Sequence, residues 1–132
     1  MPMINWLAVV AATIACFAVG AVWYSPLLFV KAWQRETGVT GVGAQNSNVA
    51  LTMGGAFFLT FLMTLVFALF LGPHPGIEFG AAAGFAAGLF WVAASVGVNH
   101  LFEGRSLKLF LINGGYNVAM FTVMGAVLGA LQ

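Results

Sequence analysis

Side chains that could do acid–base or metal chemistry are few in this sequence, and they occur in pairs. His74 precedes Glu78 by four residues, and His100 precedes Glu103 by three. Each pair offers two ligands, whereas a zinc site takes three or four from the protein. No nucleophile lies beside a base, and the single cysteine, Cys16, leaves no internal disulfide. The sequence therefore predicts no catalytic residues, no metal site and no cofactor.

Neutral polar side chains form a second group, set near the ends of long apolar runs. The spacing of four between Ser95 and Asn99, and between Asn113 and Asn117, keeps each pair on one helix face. Two interpretations stay open. One is a structural ladder of hydrogen bonds in which Asn99 meets Asn113 and Ser95 meets Asn117; the other is a polar pocket. The candidates for this pocket are Tyr24, Ser25, Asn48, Thr52, Ser95, Asn99, His100, Asn113, Tyr116 and Asn117.

The elements that position these residues follow from composition. The chain has 132 residues, of which 62% are hydrophobic and 5% charged, whereas about a quarter of a soluble domain is charged. Residues 1–30, 37–77, 79–102 and 109–132 carry no charged side chain. About 20 apolar residues form a helix that crosses a bilayer. We predict an all-α fold, an integral membrane four-helix bundle in one domain over residues 1–132, with spans at about 4–24, 49–71, 77–100 and 107–131.

The lysines and arginines predict an orientation. Lys31 and Arg35 follow the first span, and Arg105 and Lys108 lie between the third and fourth, whereas the second connection and both ends have none. The positive-inside rule then places the first and third connections on the cytoplasmic side of a cell membrane and both termini on its outer side. The net charge of +1 does not indicate the basic surface that a nucleic-acid-binding protein needs. The expected partner is the lipid bilayer; a homo-oligomer, a larger membrane complex and an unidentified small-molecule ligand stay open.

The segment Trp23-Tyr24-Ser25-Pro26 should end or bend the first span, because Pro26 lacks a backbone donor and disfavours helix at Ser25. A short interfacial helix over about residues 27–37 is expected to follow it on the membrane surface. The residues expected to anchor the topology and contact lipid headgroups are Trp23, Lys31, Trp33, Arg35, Arg105 and Lys108.

Glycines repeat every four residues in the last two spans. Gly80, Gly84 and Gly88 fall on one face of the third span, and Gly125 and Gly129 on one face of the fourth. Small residues let membrane helices approach closely. We expect these faces to pack within the bundle, with contacts between copies of the chain as the alternative.

Several of these segments together resemble a known family. Asn5-Trp6, residues 20–33 (GAVWYSPLLFVKAW), residues 99–105 (NHLFEGR), residues 111–116 (LINGGY) and the closing glycine pair are similar to signatures of the domain-of-unknown-function family 1761. The resemblance covers nearly the whole chain. It implies a small four-helix membrane protein, mainly bacterial and hence of the inner membrane, with no assigned activity and no binding residues to carry over.

Three functions remain open at this point. We expect a polytopic membrane protein that is not an enzyme and has a structural or accessory role. The alternative is a small-solute transporter or channel with a polar vestibule facing the cytoplasm. A membrane enzyme acting on a lipid or quinone is the third. Proton-coupled antiport is disfavoured, because Glu78 and Glu103 lie at helix ends and no carboxylate lies deep in a span.

Overall fold

A computed structural model of the chain describes residues 4–24, 30–37 and 49–132. Within these residues the fold is all-α, as predicted, and contains no strand. Four of its helices, all except α2, are long and apolar enough to cross a membrane. The helices are α1 (Trp6–Trp23), α2 (Val30–Thr37), α3 (Val49–Leu71), α4 (Ile77–Glu103) and α5 (Leu107–Leu131).

The helix ends lie where local sequence signals place them. The Asn5 side chain accepts a hydrogen bond from the Ala8 backbone N–H (3.1 Å) and caps α1. At its other end α1 stops at Trp23, just before the segment that contains Pro26. The Ser106 hydroxyl caps α5 by accepting from the Leu109 backbone N–H (3.1 Å). The four long helices thus lie close to the predicted spans.

The turns on either side of α4 use glycine in the left-handed region. Gly76 precedes the helix with φ of 85°, and Gly104 follows it with φ of 70°. Gly104 closes the helix because the N–H groups of Gly104 and Arg105 bond back to the Leu101 and His100 carbonyls. The third long helix therefore runs to Glu103, beyond the predicted end at residue 100.

The helix α5 is the centre of the molecule, since it contacts each of the other four. Met124 and Leu128 of α5 are fully buried, as are Val9 and Cys16 of α1. The Thr13 hydroxyl, also fully buried, donates to the Val9 carbonyl (2.7 Å). The polar atom is thereby satisfied within its own helix, so α1 can pack against α5 along its length.

Glycines make the tightest contact in the fold, between α4 and α5. A Cβ on Gly80 or Gly84 would collide with the carbonyl oxygen of Gly125 or Phe121, and one on Gly129 with that of Gly76. Gly88 lies against the backbone of α5 in the same way, near Asn117. The repeat identified in the sequence is thus a contact between two helices of one chain.

A π-helical turn interrupts α4 at Gly88–Ala93. Such a turn has i→i+5 bonds, so it contains one more residue than an α-turn. After Gly88, the small residues that face α5 are Ala93 and Gly97: Ala93 is 3% exposed, and a Cβ on Gly97 would lie 2.9 Å from the Phe110 ring. An uninterrupted α-helix would instead continue this face through residues 92, 95 and 99. The extra residue therefore shifts the rest of α4 by one position, about 100° around the helix axis.

The arrangement differs from a closed four-helix bundle. The helix α3 packs mainly on α1, with Phe57 against the Phe17 ring (5.2 Å between centroids), and reaches α5 through Phe67. It has little contact with α4, although five residues join the two. The close-approach face of α4 is already occupied by α5, and bulky side chains such as Phe90 and Trp91 project from its other sides. The four long helices therefore form a bundle that is open between α3 and α4.

Candidate functional site

An open cleft of about 560 Å³ lies between the end of α4 and the first turns of α5, beside Tyr24. Six of the ten predicted pocket residues line it. They come from three helix ends that the sequence separates widely. The lining residues are Tyr24, Val96, Asn99, His100, Phe102, Glu103, Asn113, Tyr116 and Asn117.

The other four predicted pocket residues are not in this lining. Thr52 is half-buried on α3, away from the cleft. Ser95 is exposed on another side of α4. Ser25 and Asn48 lie outside the described residues, so their place relative to the cleft stays a prediction.

The predicted hydrogen-bond ladder between α4 and α5 does not form among the described residues. The Asn113 Oδ1 atom accepts from the Tyr24 hydroxyl (2.8 Å) instead of meeting Asn99. The Asn117 Nδ2 group donates to the Asn113 carbonyl (2.9 Å), within its own helix, instead of meeting Ser95. The π-helical turn is the cause, since it rotates Ser95 and Asn99 away from the line of contact with α5.

Tyr24 is the wall of the cleft and connects three helices. Its hydroxyl bonds to Asn113 of α5, and its ring packs edge-on against Tyr116, with 5.2 Å between centroids. On its other side lies the Trp33 ring of α2, at 6.1 Å. The Tyr24 ring therefore has a fixed position at the end of α1, where helical geometry stops.

The floor of the cleft is closed by tight packing between α1 and α5. The Tyr116 hydroxyl contacts the Met120 sulfur (3.3 Å), and the Cys16 thiol donates to the Met120 carbonyl (3.5 Å). Met120 is 2% exposed, and Met124, one turn further along, is fully buried. The cleft is thus closed toward the middle of the molecule, and none of its lining residues lies beyond Asn117 on α5.

Several polar groups of the lining have no partner among the described residues. The Nδ1 atom of His100 is buried without a hydrogen bond, and the ring meets Phe110 edge-on at 6.4 Å. The Asn99 side chain is exposed and makes no hydrogen bond within the described part of the chain. Buried polar atoms are normally paired, because leaving one unpaired costs about 1–3 kcal/mol. The exposed Asn99 amide therefore offers free donor and acceptor capacity to a bound molecule, whereas the buried His100 Nδ1 atom is not within reach of one.

Among the described lining residues, Glu103 is the one charged side chain, and its carboxylate lies 4.0 Å from the Arg105 guanidinium. Glu103, Val96 and Phe102 were not among the pocket residues predicted from the sequence. A signal was present: Val96, Asn99, His100 and Glu103 have the 3–4 spacing of a single helix face. Among the described residues, no three His, Cys, Asp or Glu side chains come together as a metal site would require.

The aromatic anchors pack on the protein, and their expected contact with headgroups stays a prediction. The Trp23 Nε1 group donates to the Ile112 carbonyl (2.9 Å), and its ring lies against Gly115 of α5. The Trp33 ring is half-buried and packs on Tyr24. The four basic anchors, Lys31, Arg35, Arg105 and Lys108, are exposed as expected.

The helix α2 is also fastened to α5. The Ser106 hydroxyl bonds to the Glu36 carboxylate, which joins the last turn of α2 to the first turn of α5. Residues 27–29 of the predicted interfacial helix lie outside the described residues, and α2 covers Val30–Thr37. The segment is therefore packed against the protein on one side, which the sequence reasoning did not predict.

Comparison with known proteins gives one result. The sequence profile of a family described as a protein of unknown function (DUF1761) matches residues 7–129. Neither the curated proteins nor the solved structures include a significant match. The resemblance carried by the Trp-Tyr-Ser-Pro segment and its companions is confirmed, and because the match extends over almost the entire chain, this protein belongs to the DUF1761 family.

Proposed function

We propose that this chain is a non-enzymatic, multi-pass integral membrane protein that binds a small solute in the cleft between α4 and α5, at the cytoplasmic face. The observation that carries the proposal is the cleft itself, where the Asn99 amide makes no hydrogen bond among the described residues and borders an open space. Packing beyond Asn117 closes the cleft toward the middle of the molecule, as in the vestibule of a transporter and unlike an open pore.

The outer surface of the helices supports a bilayer location. Large apolar side chains project outward along the spans, among them Leu7, Phe58 and Phe90. Monomeric soluble proteins rarely expose contiguous apolar patches larger than a few hundred Å². Between residues 49 and 77 the exposed surface carries no charged side chain at all. Lipid is the solvent that this surface suits.

Support for the orientation comes from the two basic connections. The bond between Glu36 and Ser106 joins the segment after α1 to the turn between α4 and α5, so the basic residues of both lie at one end of the molecule. That end also holds the cleft. Under the positive-inside rule this end faces the cytoplasm, and the solute enters from there.

Thiol labelling tests the proposal. In a Cys16→Ala background, Asn99→Cys is expected to react with a membrane-impermeant maleimide in inverted vesicles and not in right-side-out ones. Phe90→Cys, also exposed but deeper on α4, is the matched control and should stay unlabelled in both. If Ser106→Cys reacts while Asn99→Cys does not, the cleft is closed to water and cannot receive a solute. Labelling of Asn99→Cys only in right-side-out vesicles would show that the cleft faces the outside, opposite to the proposed orientation.

A structural or accessory role is the second candidate, and two hydrogen bonds favour it. The Tyr24 hydroxyl and the Trp23 indole fasten α1 to Asn113 and Ile112, so part of the polar cluster does hold helices together. Replacing Asn113 and Asn117 together by leucine separates the candidates. A folded double variant that retains copurified ligand, measured by native mass spectrometry, would exclude the cleft as the binding site and leave the structural role.

A further inference from the structure

The charge of the cleft lining indicates which solutes it accepts. Glu103 is the one charged residue among the nine, and no lysine or arginine is among them. Resting on the solute-binding function proposed above, we infer that the ligand is a small organic cation, a protonated amine or a quaternary ammonium group. An anion would meet a carboxylate, with no lysine or arginine among the described lining residues to compensate it.

The aromatic rings of the lining suit the same chemistry. Tyr24 and Tyr116 are held at 5.2 Å and 64° to each other, and Phe102 lies at the rim. The face of an aromatic ring attracts a cation within about 6 Å, and sites for quaternary ammonium groups use several such rings. Amide oxygens of Asn99 and Asn117 add acceptors, because the Asn117 hydrogen bond uses only its Nδ2 group. A cationic headgroup thus meets rings and acceptor oxygens on several sides.

The position of Glu103 strengthens the inference. It is the last residue of α4, where the helix dipole disfavours a negative charge. Arg105 does not neutralise it firmly, since the two groups are 4.0 Å apart and both about half exposed, and surface pairs of this kind are weak. A ligand cation can therefore replace Arg105 as the partner of the carboxylate.

Three probes of one shape and different charge test the inference by calorimetry on the full chain in phosphatidylglycerol nanodiscs. They are choline, the neutral alcohol in which carbon replaces its nitrogen, and the tert-butyl carboxylate of similar size. We expect choline to bind about tenfold more tightly than the neutral alcohol, and the carboxylate not to bind. Glu103→Gln should reduce choline affinity about tenfold, whereas Glu78→Gln, at the far end of α4, should not change it.

A second pair of variants keeps the test independent of Glu103. Tyr24→Phe keeps the ring and should retain choline binding, and Tyr24→Leu should lose it. The ammonium group has two sources, a free solute or a lipid headgroup. A short-chain phosphatidylcholine that binds better than choline identifies the headgroup; equal or weaker binding identifies the free cation.

Two results would overturn the inference, and they differ in what else they affect. If the neutral alcohol or the carboxylate binds as well as choline, the cation preference is wrong and the solute-binding cleft remains. If no probe binds, the cation preference is also wrong, and labelling of Asn99→Cys then decides the proposed function. Labelling of Asn99→Cys would leave the solute-binding function standing, and failure to label would exclude it.

Discussion

Neutral hydrogen bonds join α1 to α5 wherever polar side chains meet across that interface. The Tyr24 hydroxyl reaches Asn113, the Trp23 indole reaches Ile112, and the Cys16 thiol reaches Met120. A neutral pair loses much less solvation energy in lipid than an ion pair does. Close packing around each bond also holds the same two helices together. We therefore expect these bonds to select one register of α1 on α5 while each contributes modestly to stability.

The Tyr24–Asn113 bond allows a direct measurement of that contribution. A double-mutant cycle with Tyr24→Phe and Asn113→Ala should give a coupling free energy of about 0.6 kcal/mol, and not more than about 2 kcal/mol. Tyr116→Phe is the matched control, because its hydroxyl contacts only the Met120 sulfur. The readout is reversible unfolding in mixed detergent micelles. A coupling near zero would show that the bond is not formed in the folded protein.

The α4–α5 glycines predict a larger and position-specific effect. Gly84→Ala places a methyl group against the Phe121 carbonyl oxygen, and a backbone atom cannot yield as a side-chain end can. We expect a loss of about 1–3 kcal/mol in the free energy of unfolding. Gly55→Ala on α3 is the control, since nothing lies within 4 Å of its added methyl group. Equal losses in both variants would show that helix propensity, and not the interhelical contact, sets the effect.

Among the elements, the π-helical turn of α4 decides which side chains reach the cleft. It keeps the small residues Ala93 and Gly97 toward α5, so bulky Val92 is turned partly aside and Trp91 is exposed. In consequence Asn99 borders open space instead of the α5 surface, and His100 lines the cleft while its ring contacts Phe110 of α5. The turn contains one residue more than an α-helical turn, and this extra residue determines which side chains line the cleft.

The sequence was sufficient for the helices and only partly sufficient for the site. Uncharged runs marked the long helices closely, and the caps that Asn5 and Ser106 form at the helix starts agree with those positions, because both depend on local sequence. The contact between α4 and α5 followed from the glycine spacing. The directions in which Ser95 and Asn99 face did not follow from the sequence, because a constant helical period takes no account of an inserted residue. A step of five between Gly88 and Ala93, followed by Gly97, was the one available sign.

Deletion of Phe90 tests the role of the turn. Phe90 is 68% exposed, so its loss removes little packing, and the shortened helix can become regular. Asn99 should then rotate toward Asn113, and Asn99→Cys should label much more slowly than in the full-length chain. Deletion of Phe79, which is 57% exposed and lies before the glycine repeat, is the control: within the helix it changes the register only of Ile77 and Glu78, so it should leave the labelling of Asn99→Cys unchanged. Unchanged labelling after loss of Phe90 would mean that the turn does not orient Asn99.

Taken as a whole, the molecule is asymmetric from end to end. The end with the turn at residues 72–76 is held by amide contacts: the Gln132 side chain donates to the Ala68 and Gly72 carbonyls, and Asn5 donates to the Leu131 carbonyl. The other end holds the cleft and the bond between Glu36 and Ser106. Neutral groups thus hold the first end together, and all four basic residues belong to the second end. Polarity is distributed as an oriented membrane protein requires.

That distribution predicts that charge, and not the cleft, determines the orientation. Replacing Lys31, Arg35, Arg105 and Lys108 by glutamine, with His74→Lys and Glu78→Lys at the other end, reverses the four-to-zero bias to zero against two. Because loop lysines and arginines set topology, a large share of the chains should insert upside down. Maleimide labelling of Ser106→Cys, in a Cys16→Ala background, would then move from inverted to right-side-out vesicles. The matched control neutralises the same four positions without adding lysines and should give mixed orientations. If both charge variants keep Ser106 on the cytoplasmic side, helix packing overrides the loop charges, and the orientation must be set by the tight glycine contact of α4 with α5.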